Sequence, residues 1–106
     1  MINDKEKYEA LKAVAEDVYL TAKSKGWHDK PIDFPTCIAL IHSELSEALE
    51  ADRKQYGVEK VAEELADVVI RTFDLAEAMY IDIARAILAK NAKNKGRTWR
   101  HGGLPY

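Results

Sequence analysis

Two pairs of carboxylates lie within segments of helical hydrophobic periodicity, and they constrain this chain more than any other feature. Glu44 and Glu47 occur in the segment HSELSEALEAD, and Glu64 and Asp67 occur in the segment EELADVVIRTFD. Residues three apart lie on one face of a helix. If two such helices pack side by side, the four carboxylates meet, and they repel one another unless a cation lies between them. The spacing therefore predicts a divalent-metal site between two helices.

Length and composition favour one small globular domain that spans residues 1–106. Charged residues make up 32% of the chain, both signs are interspersed, and the net charge is −2, which gives no electrostatic case for nucleic acid as a bulk partner. The single cysteine, Cys37, excludes an internal disulfide and fits a reducing compartment. The polar start is not typical of a signal peptide, and no apolar run has the length of a membrane span. We expect a cytoplasmic protein with no membrane partner.

Four segments carry apolar residues at steps of three and four, which predicts four helices. They cover residues 4–25, 36–54, 59–80 and 82–95. Asp4 and Asp82 are predicted N-caps, Pro35 or Thr36 begins the second helix, and Gly26 ends the first. No segment alternates as a strand does, so we expect an all-α, antiparallel four-helix bundle. At this size oligomerisation is a common way to cover the remaining apolar surface.

The acids of the second helix lie at one edge of its apolar arc. Glu44 and Glu47 are beside the buried stripe, where a charge costs desolvation unless something compensates for it. Glu64 is at the rim of the stripe on the third helix, with Asp67 further round and Arg71 between them. The alternative is that these acids are partly exposed salt-bridge partners.

All-oxygen sites suit the hard ions Mg²⁺, Mn²⁺ or Ca²⁺. No histidine takes the Glu-x-x-His step of bundle di-iron sites, and one cysteine with three scattered histidines gives no zinc spacing. Mg²⁺ is usually held by carboxylates together with substrate phosphates. Lys90, Asn94 and Arg97 share one face if the fourth helix extends that far, and such a face suits phosphate oxygens. Alternatively, these cations only complement the dipole at a helix C-terminus.

The loop GWHDKPIDFP carries Trp27, His28 and Phe34. Trp27 and Phe34 are either caps on the core or rings that stack on a nucleobase. Tyr8, Tyr19 and Trp99 are equally eligible for base stacking, and no residue pattern separates one base from another.

The ordered motifs resemble those of the MazG-like all-α nucleoside triphosphate pyrophosphohydrolases. Glu44-Leu-Ser-Glu47 is followed by a sixteen-residue spacer and Glu64-Leu-Ala-Asp67. The segment that begins at Lys90 and contains Asn94 and Arg97 then follows, and the tail begins RHGG at position 100. The resemblance covers roughly residues 26–103, and the ordered combination is far more specific than Glu-x-x-Glu alone.

The resemblance implies a reaction and a set of roles. The enzyme would cleave a nucleoside triphosphate between its α- and β-phosphates, giving a monophosphate and pyrophosphate. Glu44, Glu47, Glu64 and Asp67 would bind Mg²⁺, for which Mn²⁺ is a possible substitute. Lys90, Asn94 and Arg97 would contact the phosphates. The protein would be a homodimer or homotetramer in which the partner subunit helps to build the pocket.

We expect a water molecule to attack the α-phosphorus in line, with Glu47 or Glu63 as the carboxylate that orients or deprotonates it.

Two other functions are compatible with the residues. One is a non-catalytic helical module that senses a nucleotide or binds a protein. The other is a small nucleic-acid-associated factor that uses the basic tail, namely Lys93, Lys95, Arg97 and Arg100.

Overall fold

The structure is a computed structural model that describes residues 1–99, and within them it contains four α-helices and no strand. The helices are α1 (Asp4–Ser24), α2 (Phe34–Arg53), α3 (Val58–Ala78) and α4 (Ile83–Lys95). The predicted all-α four-helix class is confirmed, and each helix end lies within two residues of its predicted position. No helix in the described part of the chain is long and apolar enough to cross a membrane.

Helices α1 and α4 each begin at a residue whose side chain caps the helix with a hydrogen bond. The N-cap of α1 is Asn3, not the predicted Asp4, because Asn3 and Glu6 form a reciprocal capping box. The predicted N-cap of α4 is confirmed, since the Asp82 side chain accepts a hydrogen bond from the backbone N–H of Arg85.

Helices α1, α2 and α3 end in the same way. In each, the residue after the C-cap has a positive φ, and the following N–H bonds to a carbonyl five residues earlier. Gly26 occupies this position after α1 at no steric cost, whereas Gln55 after α2 and Tyr80 after α3 hold the left-handed conformation with a side chain. The turn after α2 is a sharp reversal that brings α3 back along α2, whereas the turn after α3 directs α4 mainly against α1.

Helix α3 is the centre of the fold, because α1, α2 and α4 all pack against it. Four consecutive residues of α3, 73–76, are buried, so the helix is covered on every side at that level. Two polar contacts fix α1 to the far end of α3 and the start of α4. The Tyr8 hydroxyl donates to Asp82 over 2.7 Å, and Lys12 Nζ lies 3.2 Å from Glu77 Oε1.

The core is thin for a chain of this length. Six of its eight apolar members are alanines, which let helix axes approach closely, and no large side chain among the described residues is fully buried. Exposed leucines and valines remain on α2 and α3, including Leu45, Leu49, Leu65 and Val69. The radius of gyration is 16.3 Å, well above the roughly 13 Å of a compact domain of this size. One protomer thus leaves much apolar helix surface in contact with water.

Candidate metal centre and adjoining cavity

Three carboxylates from α2 and α3 meet at one place. Glu44 and Glu47 are one helical step apart on α2, and Glu64 faces them from α3. One oxygen of each lies within 4.8 Å of the other two. The Glu64 side chain is 9% exposed and that of Glu44 is 13% exposed, whereas Glu47 is exposed. The cluster is therefore closed on two sides and open to solvent at Glu47.

Two of the three acids already have basic neighbours on α3. Arg71 Nε donates to Glu44 Oε1 over 2.9 Å, and Lys60 Nζ lies 3.0 Å from Glu64 Oε1. These contacts are the salt-bridge alternative raised by the sequence, and they use one oxygen of each acid. They neutralise much of the charge that would otherwise make the cluster repulsive.

The second oxygens of the same two acids are unpartnered. Glu44 Oε2 and Glu64 Oε2 are buried and have no hydrogen-bond partner among the described residues. An unsatisfied buried acceptor costs about 1–3 kcal/mol and more when it is charged, so native structures rarely keep one without a reason. Anionic oxygens with free lone pairs are the ligands that Mg²⁺, Mn²⁺ and Ca²⁺ prefer. The donor set therefore fits a hard dication.

The proton affinities of the three acids reflect their crowding. The protonated form of Glu47 can donate a hydrogen bond to Glu64, and this bond and the negative charge of Glu44 raise the pKa of Glu47 above its usual range. The hydrogen bond from Lys60 holds the pKa of Glu64 below its usual range. As the pH falls in the absence of a cation, Glu47 therefore takes up a proton before Glu64, whose charge Lys60 stabilises.

Two further acids that the sequence singled out lie near the cluster but outside it. Asp67 is not one of the three acids that meet. It is nevertheless close enough for the charges of Glu44 and Glu64 to raise its pKa, in addition to the larger effect of burial. Glu63 points outward, with its side chain 68% exposed and 3.9 Å from Lys60.

A cavity of about 190 Å³ adjoins the cluster, and Arg71 joins the two. The guanidinium of Arg71, which binds Glu44 through Nε, also lies over the ring of Trp27 at 5.1 Å from its centroid. Trp27, His28 and Asp74 line the cavity, together with apolar residues of the loop, α2 and α3, namely Ile32, Cys37, Leu40 and Leu75. One basic side chain thus forms both an edge of the acidic cluster and part of the cavity wall.

His28 and Asp74 form a partly buried pair inside this cavity. His28 Nε2 lies 2.7 Å from Asp74 Oδ1, and each side chain is 11% exposed. The ring of Tyr19 packs at 4.9 Å from the His28 ring. The pair ties the loop after α1 to the C-terminal part of α3.

The other aromatic candidates lie elsewhere. Phe34 is the first residue of α2, is exposed and does not line the cavity. Tyr8 is bonded to Asp82 at the opposite end of α1, and Trp99 is exposed beyond α4. Of the two rings predicted to contact a base, the structure brings only Trp27 to the cavity.

The three residues predicted to bind phosphate are exposed on or just after α4. Lys90 and Asn94 line one shallow cleft along that helix. Arg97 follows the end of α4, and its N–H bonds to the carbonyl of Asn94. Within residues 1–99, α4 packs against α1 and α3 and makes no contact with α2. Arg100 and the RHGG tail lie outside the described residues.

Four residues at this site were not assigned a role from the sequence: Lys60, Arg71, His28 and Asp74. Lys60 is four residues before Glu64, a spacing that signals a helical ion pair. Asp74 stands in the buried run 73–76, and a carboxylate inside such an apolar run is the signal that could have found it. Nothing local connects His28 to Asp74 or Arg71 to Glu44, because these partners are 46 and 27 positions apart.

Comparison with known proteins gives one partial similarity to report. No family model matches the chain, and no solved structure matches it. A curated protein of Cyanophage S-2L, dATP/dGTP diphosphohydrolase, is 37% identical over 62 residues. The match covers 58% of this chain and 54% of that protein, so the chain spans about half the length of its curated relative. The chain is therefore similar in part to a hydrolase that acts on nucleotides.

Proposed function

We propose that this protein is a metal-dependent nucleoside triphosphate pyrophosphohydrolase of the MazG-like kind, which converts a (d)NTP to a (d)NMP and pyrophosphate. The observation that carries the proposal is the pair of buried, unpartnered oxygens of Glu44 and Glu64 within a three-carboxylate cluster. The partial similarity to a dATP/dGTP diphosphohydrolase supports a nucleotide as the substrate.

In this proposal Glu44, Glu47 and Glu64 hold Mg²⁺, with Mn²⁺ as a possible substitute, and Asp67 joins them from the next turn of α3. When bound, the ion neutralises phosphate charge and lowers the pKa of a coordinated water. Among the three clustered acids, Glu47 is exposed and has no ion pair within residues 1–99. It is therefore available to both the ion and an incoming water molecule.

The protein's own groups move the proton and hold the products. Glu47, or Glu63 at the exposed edge, accepts a proton from the water whose oxygen bonds to the α-phosphorus. The bond from the α-phosphorus to the bridging oxygen breaks, and pyrophosphate leaves with the electron pair. Lys90, Asn94 and Arg97 bind the oxygens of pyrophosphate and balance its charge. Trp27, which lines the cavity, contacts the base, and Phe34 takes no part because it does not line that cavity.

We also propose that the working form is a homodimer or homotetramer. Helix α4 carries the phosphate-binding residues but does not touch α2, which carries two of the metal ligands. The open shape and the exposed leucines and valines of α2 and α3 give a second copy a large apolar surface to cover. In such an assembly the α4 face of one copy supplies the phosphate contacts for the acids of another.

Mixing two inactive variants tests this shared site. Glu64→Gln lacks a metal ligand and Lys90→Ala lacks a phosphate contact, so each alone should be inactive. If the two groups act from different subunits, co-refolding equal amounts should restore roughly a quarter of wild-type turnover. Random pairing makes about half of the dimers mixed, and one of the two sites in each mixed dimer is intact. No recovery in dimers shown to have mixed would mean that Lys90 serves the acids of its own chain.

The second candidate is a module that binds a nucleotide without cleaving it. The Arg71 and Lys60 contacts favour it, because they neutralise Glu44 and Glu64 without any ion. Under this alternative, Mg²⁺ has no effect on thermal stability, and a nucleotide raises the melting temperature without being consumed.

The reaction itself is tested with the full chain, Mg²⁺ and a panel of nucleoside triphosphates in ¹⁸O-labelled water. We expect equal amounts of monophosphate and pyrophosphate, with the label in the monophosphate, because the water oxygen bonds to the α-phosphorus. A chelator should abolish release. Orthophosphate as the product, label in the pyrophosphate, or binding without turnover would each contradict the proposal.

A further inference from the structure

The cavity beside the acidic cluster has mostly apolar walls. The main hydrogen-bonding groups in those walls are the Asp74 carboxylate and the His28 ring. Asp74 and His28 are each 11% exposed, and Ile32, Leu40 and Leu75 surround them. Ligand sites of this kind combine apolar walls with a few placed polar groups that fix orientation. The volume of about 190 Å³ is below the range of drug-sized ligands, and it suits one flat ring system.

The pair also has a structural role, since it ties the loop after α1 to α3. That role does not use the full capacity of the carboxylate. An ionised Asp accepts at about four lone-pair positions, and His28 occupies one of them. Because Asp74 lines the cavity, the remaining acceptor capacity is available to a ligand there.

Arg71 sets the direction in which a nucleotide would lie. Its Nε donates to Glu44, and its guanidinium lies over the ring of Trp27, which also lines the cavity. A molecule with phosphates at the three acids and a flat ring in the cavity would therefore lie across Arg71. This placement rests on the proposed function, which puts the phosphates of a nucleotide at the acids.

We infer that Asp74, held in place by His28, determines base specificity by accepting a hydrogen bond from an amino group of the nucleobase. An ionised carboxylate accepts but cannot donate, so it pairs with the exocyclic amino group of adenine, guanine or cytosine. In hypoxanthine, uracil and thymine a carbonyl oxygen replaces the amino group. The Asp74 carboxylate then repels that oxygen and loses its hydration without gaining a hydrogen bond. Sites that hydrogen-bond a substrate group discriminate strongly against analogues that lack it.

Matched nucleotide pairs isolate that amino group. Guanine and hypoxanthine differ only in the 2-amino group. Adenine and cytosine carry an amino group beside an acceptor ring nitrogen, where hypoxanthine and uracil carry a carbonyl beside a ring N–H. For at least one pair, we expect the wild-type kcat/KM to favour the amino-bearing triphosphate by roughly 10- to 100-fold. Ratios within twofold for all three pairs would overturn the inference without any variant.

Asp74→Asn makes the test specific to this residue. Asparagine has the same shape, and its carbonyl can still accept from His28, while its NH₂ group presents a donor to the cavity. We expect the preference for the amino-bearing base to fall at least tenfold or to reverse. A merely structural Asp74 would lower kcat/KM for both members of a pair equally, and that result would overturn the inference.

Glu77→Gln is the matched control, because Glu77 is the next acid along α3 and pairs with Lys12 away from the cavity. Its discrimination ratio should equal that of the wild type. Circular dichroism of both variants checks that the helices are kept.

Binding of nucleoside monophosphates separates this inference from the proposed reaction. Calorimetric titration with dGMP and dIMP, dAMP and dIMP, and dCMP and dUMP requires no turnover. If no triphosphate is hydrolysed but Asp74→Asn still removes the preference among monophosphates, the base contact stands and the proposed reaction fails. If pyrophosphate is released with no base preference, the reaction stands and the base contact fails. No binding of any nucleotide would overturn both.

Discussion

Replacing Glu64 with glutamine is expected to reduce turnover at least about 100-fold while leaving the helices intact. Loss of a group that only supports a metal ligand typically costs 10- to 100-fold, and Glu64 is itself one of the three proposed ligands. Glutamine removes the negative charge but keeps an oxygen that can accept from Lys60, so the contact at 3.0 Å can survive. Repulsion with Glu44 and Glu47 falls at the same time, so the metal-free variant should be at least as stable as the wild type.

Pyrophosphate release and Mg²⁺ titration by calorimetry measure the effect, and circular dichroism checks the fold. Glu59→Gln is the control, since Glu59 is an exposed acid in the first turn of the same helix. It should keep nearly full activity. If Glu64→Gln retained more than a tenth of wild-type turnover, Glu64 would not be a metal ligand, and the three-acid site would be wrong.

Replacing Arg71 with methionine is expected to lower the free energy of unfolding by about 2–3 kcal/mol when no dication is present. Removal of one partner of a fully buried ion pair costs about 3–5 kcal/mol, and we expect somewhat less here because the Arg71 side chain is 27% exposed and that of Glu44 is 13% exposed. Glu44 Oε2 has no partner in the wild type, so the variant leaves the whole carboxylate unpaired. The contact of the guanidinium with Trp27 is lost as well.

Added Mg²⁺ should restore most of that loss. The ion replaces the positive charge beside Glu44, and a ligand that binds only the folded state stabilises it in proportion to the logarithm of its concentration over Kd. The stabilisation by Mg²⁺ should be larger in the variant than in the wild type, because Arg71 no longer competes with the ion for Glu44. Chemical denaturation with and without Mg²⁺ measures both quantities.

Lys12→Met provides the comparison, since it breaks the ion pair with Glu77 between α1 and α3. That pair is remote from the acids in the fold. Mg²⁺ should therefore stabilise Lys12→Met by no more than it stabilises the wild type. Equal stabilisation of both variants by Mg²⁺ would mean that the ion does not bind at Glu44.

The candidate site could be predicted in part because the relevant signals are short-range. The three-residue spacing of Glu44 and Glu47 fixes them on one side of α2, wherever that helix lies. The position of Glu64 at the rim of an apolar stripe places it near whatever packs on α3. The sequence could not tell that Asp67, one step further along α3, would lie outside the three-acid cluster. Its distance depends on the rotation of α3 about its own axis.

The sequence by itself determined four helices, their class and nearly all of their ends, because hydrophobic periodicity, capping side chains and glycine act within a few residues. It also determined which acids were candidates for an ion. Only the tertiary structure decided which three acids meet, that Arg71 joins them to a cavity, and that His28 reaches Asp74 across 46 positions. These contacts depend on how α2 and the loop after α1 pack on α3, and that packing is a sum of many weak long-range interactions that no local pattern encodes.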